Sequence, residues 1–414
     1  MQSTAIALVR HPLTQFGYEN TPADTDVWLL CHPTKSQISH TYAGADPSHV
    51  RIYSHYETND LVDYDAASII ESSDCRGIIA LSEVDMLRAA QLRTRYDLPG
   101  LKYDTARLFR DKALMKETLR EAGFRVPDFR TVDNGLDLMA AAQTYGYPFV
   151  LKPRMGGGSI GATVIRDAED LRRHLSEGLR PNFYTPACLE AEEFVSGDLY
   201  HVDGLVIDGR VQLDSVSRYR SDILDFSTAV STRMIDQTST LAGQLTTFTH
   251  GVIAELGLLQ PDIHSYFHCE VFHGADGLVL CEVAARPGGL GIVDQVDAHF
   301  GVNTFELLLA ATLGRRLPTP RLAENRTLVG WVGIPKSCDP QVVRAHVPEA
   351  NLVGERMHRT AMVGRQTSSV DLDGFVLMRA DTEEELDGLL RSGVERVAAA
   401  VRPDVDPTQQ SVPA

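Results

Sequence analysis

Two carboxylates and an arginine stand close together in the segment 268–291, HCEVFHGADGLVLCEVAARPGGLG. The Gly-Ala-Asp-Gly run at 274–277 predicts a hairpin turn between two short strands. Alternation puts His268, Glu270 and Phe272 on one face of the first strand. On the second it puts Val279, Cys281 and Val283 on one face, and Leu280, Glu282 and Ala284 on the other. Each strand therefore sets a glutamate among apolar neighbours. A carboxylate there costs several kcal/mol unless it is paired or coordinates a metal. Arg286 follows, and then Pro287, Gly288 and Gly289, where backbone amides can approach a ligand closely. Glu270 and Glu282 with Arg286 beyond them read as a site for Mg²⁺ and phosphate.

Cations for a phosphate occur at two earlier places. Asp111–Gly123, DKALMKETLREAG, reads as a short helix with Met115, Leu119 and Ala122 as its stripe and Gly123 as its stop. Lys112 falls in its first turn, where the helix dipole disfavours a cation, a placement that points toward phosphate binding. Lys152 ends the strand FVLK, and a glycine-rich loop follows through Gly156, Gly157, Gly158, Ser159 and Gly161. The loop matches GxGxxG, but it leads into β-branched Thr163, Val164 and Ile165, not into a helix. A Rossmann or P-loop reading therefore fails, and a strand–loop–strand flap is expected. Backbone amides of such a flap can close over phosphates. Three consecutive glycines cost chain entropy that a bland surface hairpin would not repay. The run Glu192, Glu193, Phe194, Val195 falls between strands, where an unpaired main chain can read an adenine edge.

The elements that must hold these groups follow a mixed α/β pattern. Residues 1–105 alternate short apolar runs (AIALV, DVWLLC, RIYSHY, RGIIALS) with helical pieces, which suggests a small parallel sheet. The amphipathic run 83–96 predicts a helix, and Glu83 at its start reads first as an exposed helix-start carboxylate, with contact to a ligand as the alternative. Residues 106–185 carry the Lys112 helix and the flap, and 186–324 carry the opening hairpin. Residues 325–414 read as a small α/β cap, its helix at TEEELDGLLRSGVERVAAAV, with a disordered tail from about Arg402.

A chain of 414 residues is expected to divide into two to four units. The formal charge of −17 argues against nucleic acid or an anionic membrane as a partner. No stretch reaches the ~18–20 apolar residues of a membrane span, and the N-terminus lacks a basic leader and a cleavage site. Cys31, Cys75, Cys188, Cys269, Cys281 and Cys338 show no CxxC spacing, which suits free thiols and a cytoplasmic location.

With these residues assembled, the chain resembles the ATP-grasp superfamily, in its carboxylate–amine ligase branch. The resemblance runs from about 70 to 315: Asp111-Lys112, then VLKP and the flap at 150–161, EEFVxG at 192–197, Glu270, and ExxxRPGG at 282–289. It implies an α+β ATP-grasp fold, with residues 1–105 as the domain preceding the grasp, 106–185 its small lobe and 186–324 its large lobe. It implies ATP phosphates on Lys112 and Lys152, with Gly156, Gly157, Gly158, Ser159 and Gly161 closing over them. Adenine would lie at the hinge Glu192–Val195, chiefly on the main chain of Glu193 and Val195. Mg²⁺, or Mn²⁺ in its place, would sit on Glu270 and Glu282. Arg286, Lys152 and the amides of Gly288 and Gly289 would stabilise the acyl-phosphate or tetrahedral species. The chain departs from the family twice: Ala284 stands where a third metal ligand, Asn, is usual, and Leu199 where a ribose-binding Glu is frequent, leaving Asp198 or Asp203 for that role.

The implied reaction is ATP-dependent amide or peptide bond formation through an acyl phosphate, giving ADP and phosphate. The expected partners are a small carboxylate, an amino acid foremost, and an amine; the expected assembly is a homodimer. Arg218, Arg220, Arg233 and Asp294 are candidates to pair substrate charges. The alternatives are a biotin-carboxylase-like enzyme activating bicarbonate and a degenerate ATP-binding subunit without activity. A zinc cluster of His264, His268, Cys269, Glu270 and His273 is disfavoured, because strand alternation sets Cys269 and His273 opposite His268 and Glu270. Serine hydrolysis lacks a GxSxG elbow.

Overall fold

The computed structural model describes residues 3–10, 26–33, 47–180, 182, 185–220, 229–275, 277–315, 327–335, 338–357 and 372–401. The tail beyond Val401 lies outside the described residues, as do 221–228, between the candidates Arg220 and Arg233.

Three sheets organise the chain. The first is four-stranded and parallel: β1 (Thr4–Val9), β2 (Asp26–Cys31), β3 (Val50–Ile52) and β4 (Cys75–Ala80), in the order β3-β2-β1-β4. β1 reads as an unbroken apolar run because both of its faces are covered. One face packs with helix α1 (Leu61–Ser72) and helix α2 (Met86–Tyr96); the other joins Leu205 and Tyr266 of the third sheet and Phe305 of the helix Thr304–Thr312. α2 begins at Met86 and not at Glu83. Glu83 therefore sits in the turn between β4 and the helix, not on an exposed first turn.

The second sheet is antiparallel. It comprises β5 (Phe129–Val132), β6 (Phe149–Pro153), β7 (Thr163–Ile165) and β8 (Leu189–Glu193), in the order β5-β8-β6-β7. β6 and β7 pair as the two arms of the glycine flap. Before this sheet runs helix α3 (Lys112–Glu121). The Asp111 side chain caps it by accepting from the amides of Ala113 and Leu114.

The third sheet has eight strands in the order β13-β12-β9-β10-β11-β14-β16-β15. Strands β9 (Asp198–Ile207) and β10 (Arg210–Tyr219) form a hairpin that turns at Asp208-Gly209 with both residues at positive φ. β11 (Ser231–Met234), β12 (Ser265–Gly274) and β13 (Gly277–Ala284) complete the half nearest the flap. β14 (Leu328–Pro335), β15 (Leu352–Met357) and β16 (Leu372–Ala380) extend the same sheet through the pair β11–β14, so the C-terminal strands continue it. Helix α4 (Glu383–Ala400) covers them with Leu386, Leu390 and Val397. Among the described residues, no helix is long and apolar enough to cross a membrane.

Candidate active site

Glu270 and Glu282 lie directly opposite each other on β12 and β13. The register then shifts between Glu270 and Val271, with Val271 facing Leu280, so Cys281 is an extra residue on β13. This bulge corrects the simple alternation expected of the second strand. Leu280 and Val283 enter the core, while Cys281 and Glu282 both face the cleft between the second and third sheets. A strict period of two would have put Leu280 beside Glu282.

The cleft has a volume of about 450 Å³. It gathers Lys112, Lys152, Gly156, Gly157, Ser159, Glu192, Glu193, Phe194, Val195, Asp198, Glu270 and Glu282, drawn from segments predicted separately. Lys112 ties two of these segments together: its Nζ donates to Gly156 O at 2.9 Å and lies 3.2 Å from Glu282 Oε2. Burial pushes the Glu282 carboxyl up, but Lys112, Lys152 and Arg286 outweigh it and hold the group down at about 2. Glu282 is therefore ionised at neutral pH, as a cation ligand must be.

Lys152 belongs to a buried network that sequence reasoning missed in part. Its Nζ is 2.9 Å from Glu192 Oε1. Lys116, fully buried one helical turn beyond Lys112, contacts the same Glu192 and lies 2.7 Å from Glu190 Oε1. Burial raises Glu190 to about 7 against the pull of Lys116, whereas Lys116 and Lys152 together overcome burial at Glu192 and lower it to about 2. The Glu192 side chain thus holds lysines and leaves ligand contact to its neighbours. Two signals for the network were present: Lys116 at i+4 from Lys112, and Glu192 at i+2 from Glu190.

The hinge differs from the expected gap between strands. Glu192 and Glu193 end β8, and the Glu193 amide donates to Asp128 O at 2.9 Å. Phe194–Gly197 then cross to β9. Gly197 passes so near β12 that a Cβ there would stand 2.7 Å from His273 O. Phe194 on the hinge and Ile160 on the flap are exposed apolar side chains at the cleft's rim.

Arg286 does not line the main cleft. It reaches Glu83 from the N-terminal sheet, and Arg110 contacts the same carboxylate from the other side. Burial raises the Glu83 carboxyl, and Arg286 and Arg110 more than reverse that. The flap lies against Glu83 too, since a Cβ on Gly157 would come 3.0 Å from Glu83 Cγ. Glu83 is thus part of this centre, contrary to its reading as a solvated helix-start residue. Gly288 packs on Asp203 and Ile292, and Gly289 lies just before the helix Ile292–Phe300.

Several candidates are already engaged elsewhere. Asp203 is buried under the hairpin between His201 and His268, away from the cleft, which removes it as a ribose ligand. Asp198 is at the cleft wall, paired with Arg218 at 2.5 Å. Arg220 and Arg233 pair with Asp387 at 3.1 and 2.5 Å, Arg233 also with Glu383, and Asp294 pairs with Arg356. Arg220, Arg233 and Asp294 tie the C-terminal strands and helix to the sheet, while Arg218 and Arg220 also line the cleft. His264 accepts from the Asp208 amide at the far turn, apart from Glu270.

Residues 111–200 match the family model described as the carbamoyl-phosphate synthase L chain, ATP binding domain. An L-arginine-specific L-amino acid ligase of Bacillus subtilis is 27% identical over 271 residues, 62% of this chain and 62% of that protein. The match thus spans less than two thirds of that relative's length. Among solved structures, the L-amino acid ligase of Bacillus licheniformis superposes with a TM-score of 0.74 at 18% identity, covering 96% of this chain and 98% of that one. N5-carboxyaminoimidazole synthase of Aspergillus clavatus, in complex with ADP and 5-aminoimidazole ribonucleotide, gives 0.71 at 16% identity, with 96% and 99% covered. At these identities the structural likeness concerns the fold.

Proposed function

We propose that this chain, a member of the ATP-grasp superfamily, is an ATP-dependent carboxylate–amine ligase that forms an amide or peptide bond and releases ADP and phosphate. The observation that carries the reading is Lys112, which joins the flap carbonyl of Gly156 to Glu282, itself facing Glu270 across the hairpin. One residue thereby couples the lid to the carboxylate pair.

The residues present fit the groups this reaction needs. Glu270 and Glu282 offer hard oxygen donors suited to Mg²⁺, which tolerates few protein ligands because it keeps waters and takes phosphate oxygens. When bound, Mg²⁺ neutralises charge on the phosphates. Lys112 and Lys152 meet the phosphates from the flap side, and Gly156–Gly161 cover them. The hinge at Phe194 and Val195 receives the base, with Ile160 closing from the flap. Asp198 is the carboxylate placed to meet the ribose.

The chemistry has two steps. A carboxylate oxygen of the acid attacks the γ-phosphorus of ATP, and the bond to the bridging oxygen of ADP breaks. The amine then attacks the acyl carbon, the bond to the phosphate oxygen breaks, and the nitrogen gives up a proton. Phosphoryl transfer asks for positioning and charge neutralisation, which the lysines supply. Arg286, Gly288 and Gly289 face the carbonyl oxygen as it gains charge, a role worth ~2.7–4 kcal/mol for one donor. The closed flap keeps water from the acyl phosphate.

The acid is an α-amino acid in this reading. The B. subtilis and B. licheniformis proteins, both named as L-amino acid ligases, support it. We place the protein in the cytoplasm and expect a homodimer. The test is ADP release with a panel of amino acids and amines. Carboxylate-dependent ADP formation is expected, lost in Lys152→Ala and Glu282→Ala. No carboxylate-dependent release from the wild type would favour a binding module, and bicarbonate-dependent turnover without an amine would favour a carboxylase.

A further inference from the structure

Under the two glutamates lies a chain of buried polar groups that the two-step chemistry does not use. Asp203, on β9, places Oδ1 2.7 Å from His268 Nδ1, and its Oδ2 contacts His201 Nδ1. His201 Nε2 is 2.6 Å from Thr232 Oγ1. His201, Asp203 and His268 are close enough to count as a metal-donor cluster. Yet each facing imidazole nitrogen already has its own Asp203 oxygen at hydrogen-bond distance, so hydrogen bonding accounts for the cluster.

The other edge of His268 matters more. Its Nε2 lies 3.3 Å from Glu270 Oε1, and the Tyr219 hydroxyl donates to that same oxygen at 2.9 Å. Both neighbours of the imidazole are carboxylates, which only accept when ionised, so both ring nitrogens act as donors. Glu270 Oε1 is thereby occupied by two donors, and Oε2 is the oxygen left to present to a cation. The hairpin register explains how the ring fits: His268 stands opposite Ala284, whose methyl leaves room for an imidazole beside the glutamate pair. The same Asp203 Oδ1 would lie 2.8 Å from a Cβ on Gly288, so the loop after Arg286 packs on the carboxylate that fixes His268.

We infer that His268 is a positioning residue that orients Glu270 for one-oxygen ligation of the metal; this rests on the reading of Glu270 as a Mg²⁺ ligand. Asp203 sets the rotation of the ring, and the ring sets the carboxylate. Partners behind a ligand typically govern 10- to 100-fold of metal affinity. Ala284, which lacks donor atoms of its own, is the small residue that lets this support reach the site.

The test separates the two halves of the imidazole. His268→Asn puts an amide near the Nδ1 position, keeping Asp203 while losing Glu270; His268→Gln reaches the Nε2 position and keeps a donor on Glu270. Mn²⁺ binding to the protein–ADP complex is followed by electron paramagnetic resonance, and ADP binding without metal by calorimetry. At least a tenfold loss of Mn²⁺ affinity is expected in H268N and a loss of about threefold or less in H268Q, with metal-free ADP affinity within about twofold of wild type in both. Tyr219→Phe, which leaves the buried chain of hydrogen bonds in place, is expected to lose Mn²⁺ affinity in the same direction. Wild-type Mn²⁺ binding in H268N and Y219F overturns the inference. Equal losses in H268N and H268Q, or a parallel loss of metal-free ADP binding, overturn it too, since they mark a structural role. If the wild type–ADP complex takes up no Mn²⁺, the metal reading of Glu270 fails and the inference fails with it.

Discussion

Replacing Lys116 with methionine removes one cation from a site where water cannot take its place. The Lys116 and Glu190 side chains are 0% exposed and that of Glu192 is 6% exposed. Lys152 remains 2.9 Å from Glu192 but 3.9 Å from Glu190, so Glu190 is the carboxylate that loses its partner. Breaking a buried pair from one side costs about 3–5 kcal/mol. The sign of the pH dependence follows from Glu190, whose folded pKa is already raised from 4.5 to about 7 by burial. A carboxyl raised on folding destabilises the fold as pH climbs from its unfolded to its folded value. Without Lys116 the folded value rises further, so the deficit should widen between about pH 6 and about pH 8. Adding Glu190→Gln should recover much of it, a coupling that a double-mutant cycle isolates. Urea unfolding at both pH values, for wild type, both single variants and the double, measures each quantity. A K116M stability within about 0.5 kcal/mol of wild type at about pH 8, or a deficit independent of pH, would refute the reasoning.

Three further outcomes follow from other parts of the fold. Gly197→Ala drives a Cβ to 2.7 Å from His273 O and 2.9 Å from its carbonyl carbon, main-chain atoms that cannot turn aside. A loss of about 1–3 kcal/mol together with weaker ADP binding is expected, read by thermal melting and calorimetry. Asp297, raised from 3.8 to about 7 by burial despite its bonds from the Thr304 hydroxyl and amide, should make wild-type stability fall between about pH 4 and about pH 7. Asp297→Asn keeps the acceptor and removes that slope, gaining up to about 4 kcal/mol above pH 7 at 1.36 kcal/mol per unit; parallel Tm–pH curves for the two proteins would contradict it. Arg233→Met takes one arginine from Glu383 and leaves Asp387 with Arg220, and because both acids keep contact with solvent a loss of about 1–3 kcal/mol in urea is expected.

What could be read from residues alone was whatever a local pattern encodes. The Gly274–Gly277 turn placed the two glutamates on paired strands, and β-branched residues after Gly161 separated a flap from a P-loop. The apolar stripe and the Gly123 stop marked the Lys112 helix. Long-range partners were not legible in this way. Lys116 meets Glu190 from 74 positions away and Arg233 meets Asp387 from 154, and no spacing rule links such residues. Arg233 looks like a substrate ligand until Asp387 and Glu383 are known to hold it. The bulge at Cys281 also escaped, because it depends on how Leu280 and Val283 pack into the core. Glu83 was misread for a smaller reason: the helix starts three residues later than its amphipathic pattern suggests, which leaves Glu83 on the turn facing Arg286.

The central claim is that a substrate carboxylate takes the γ-phosphate before the amine attacks. Labelling both carboxylate oxygens of an accepted amino acid with ¹⁸O tests it directly. One labelled oxygen should appear in the released phosphate for every amide formed, with ADP as the other product. Phosphate free of label, or label recovered in AMP, would contradict the account.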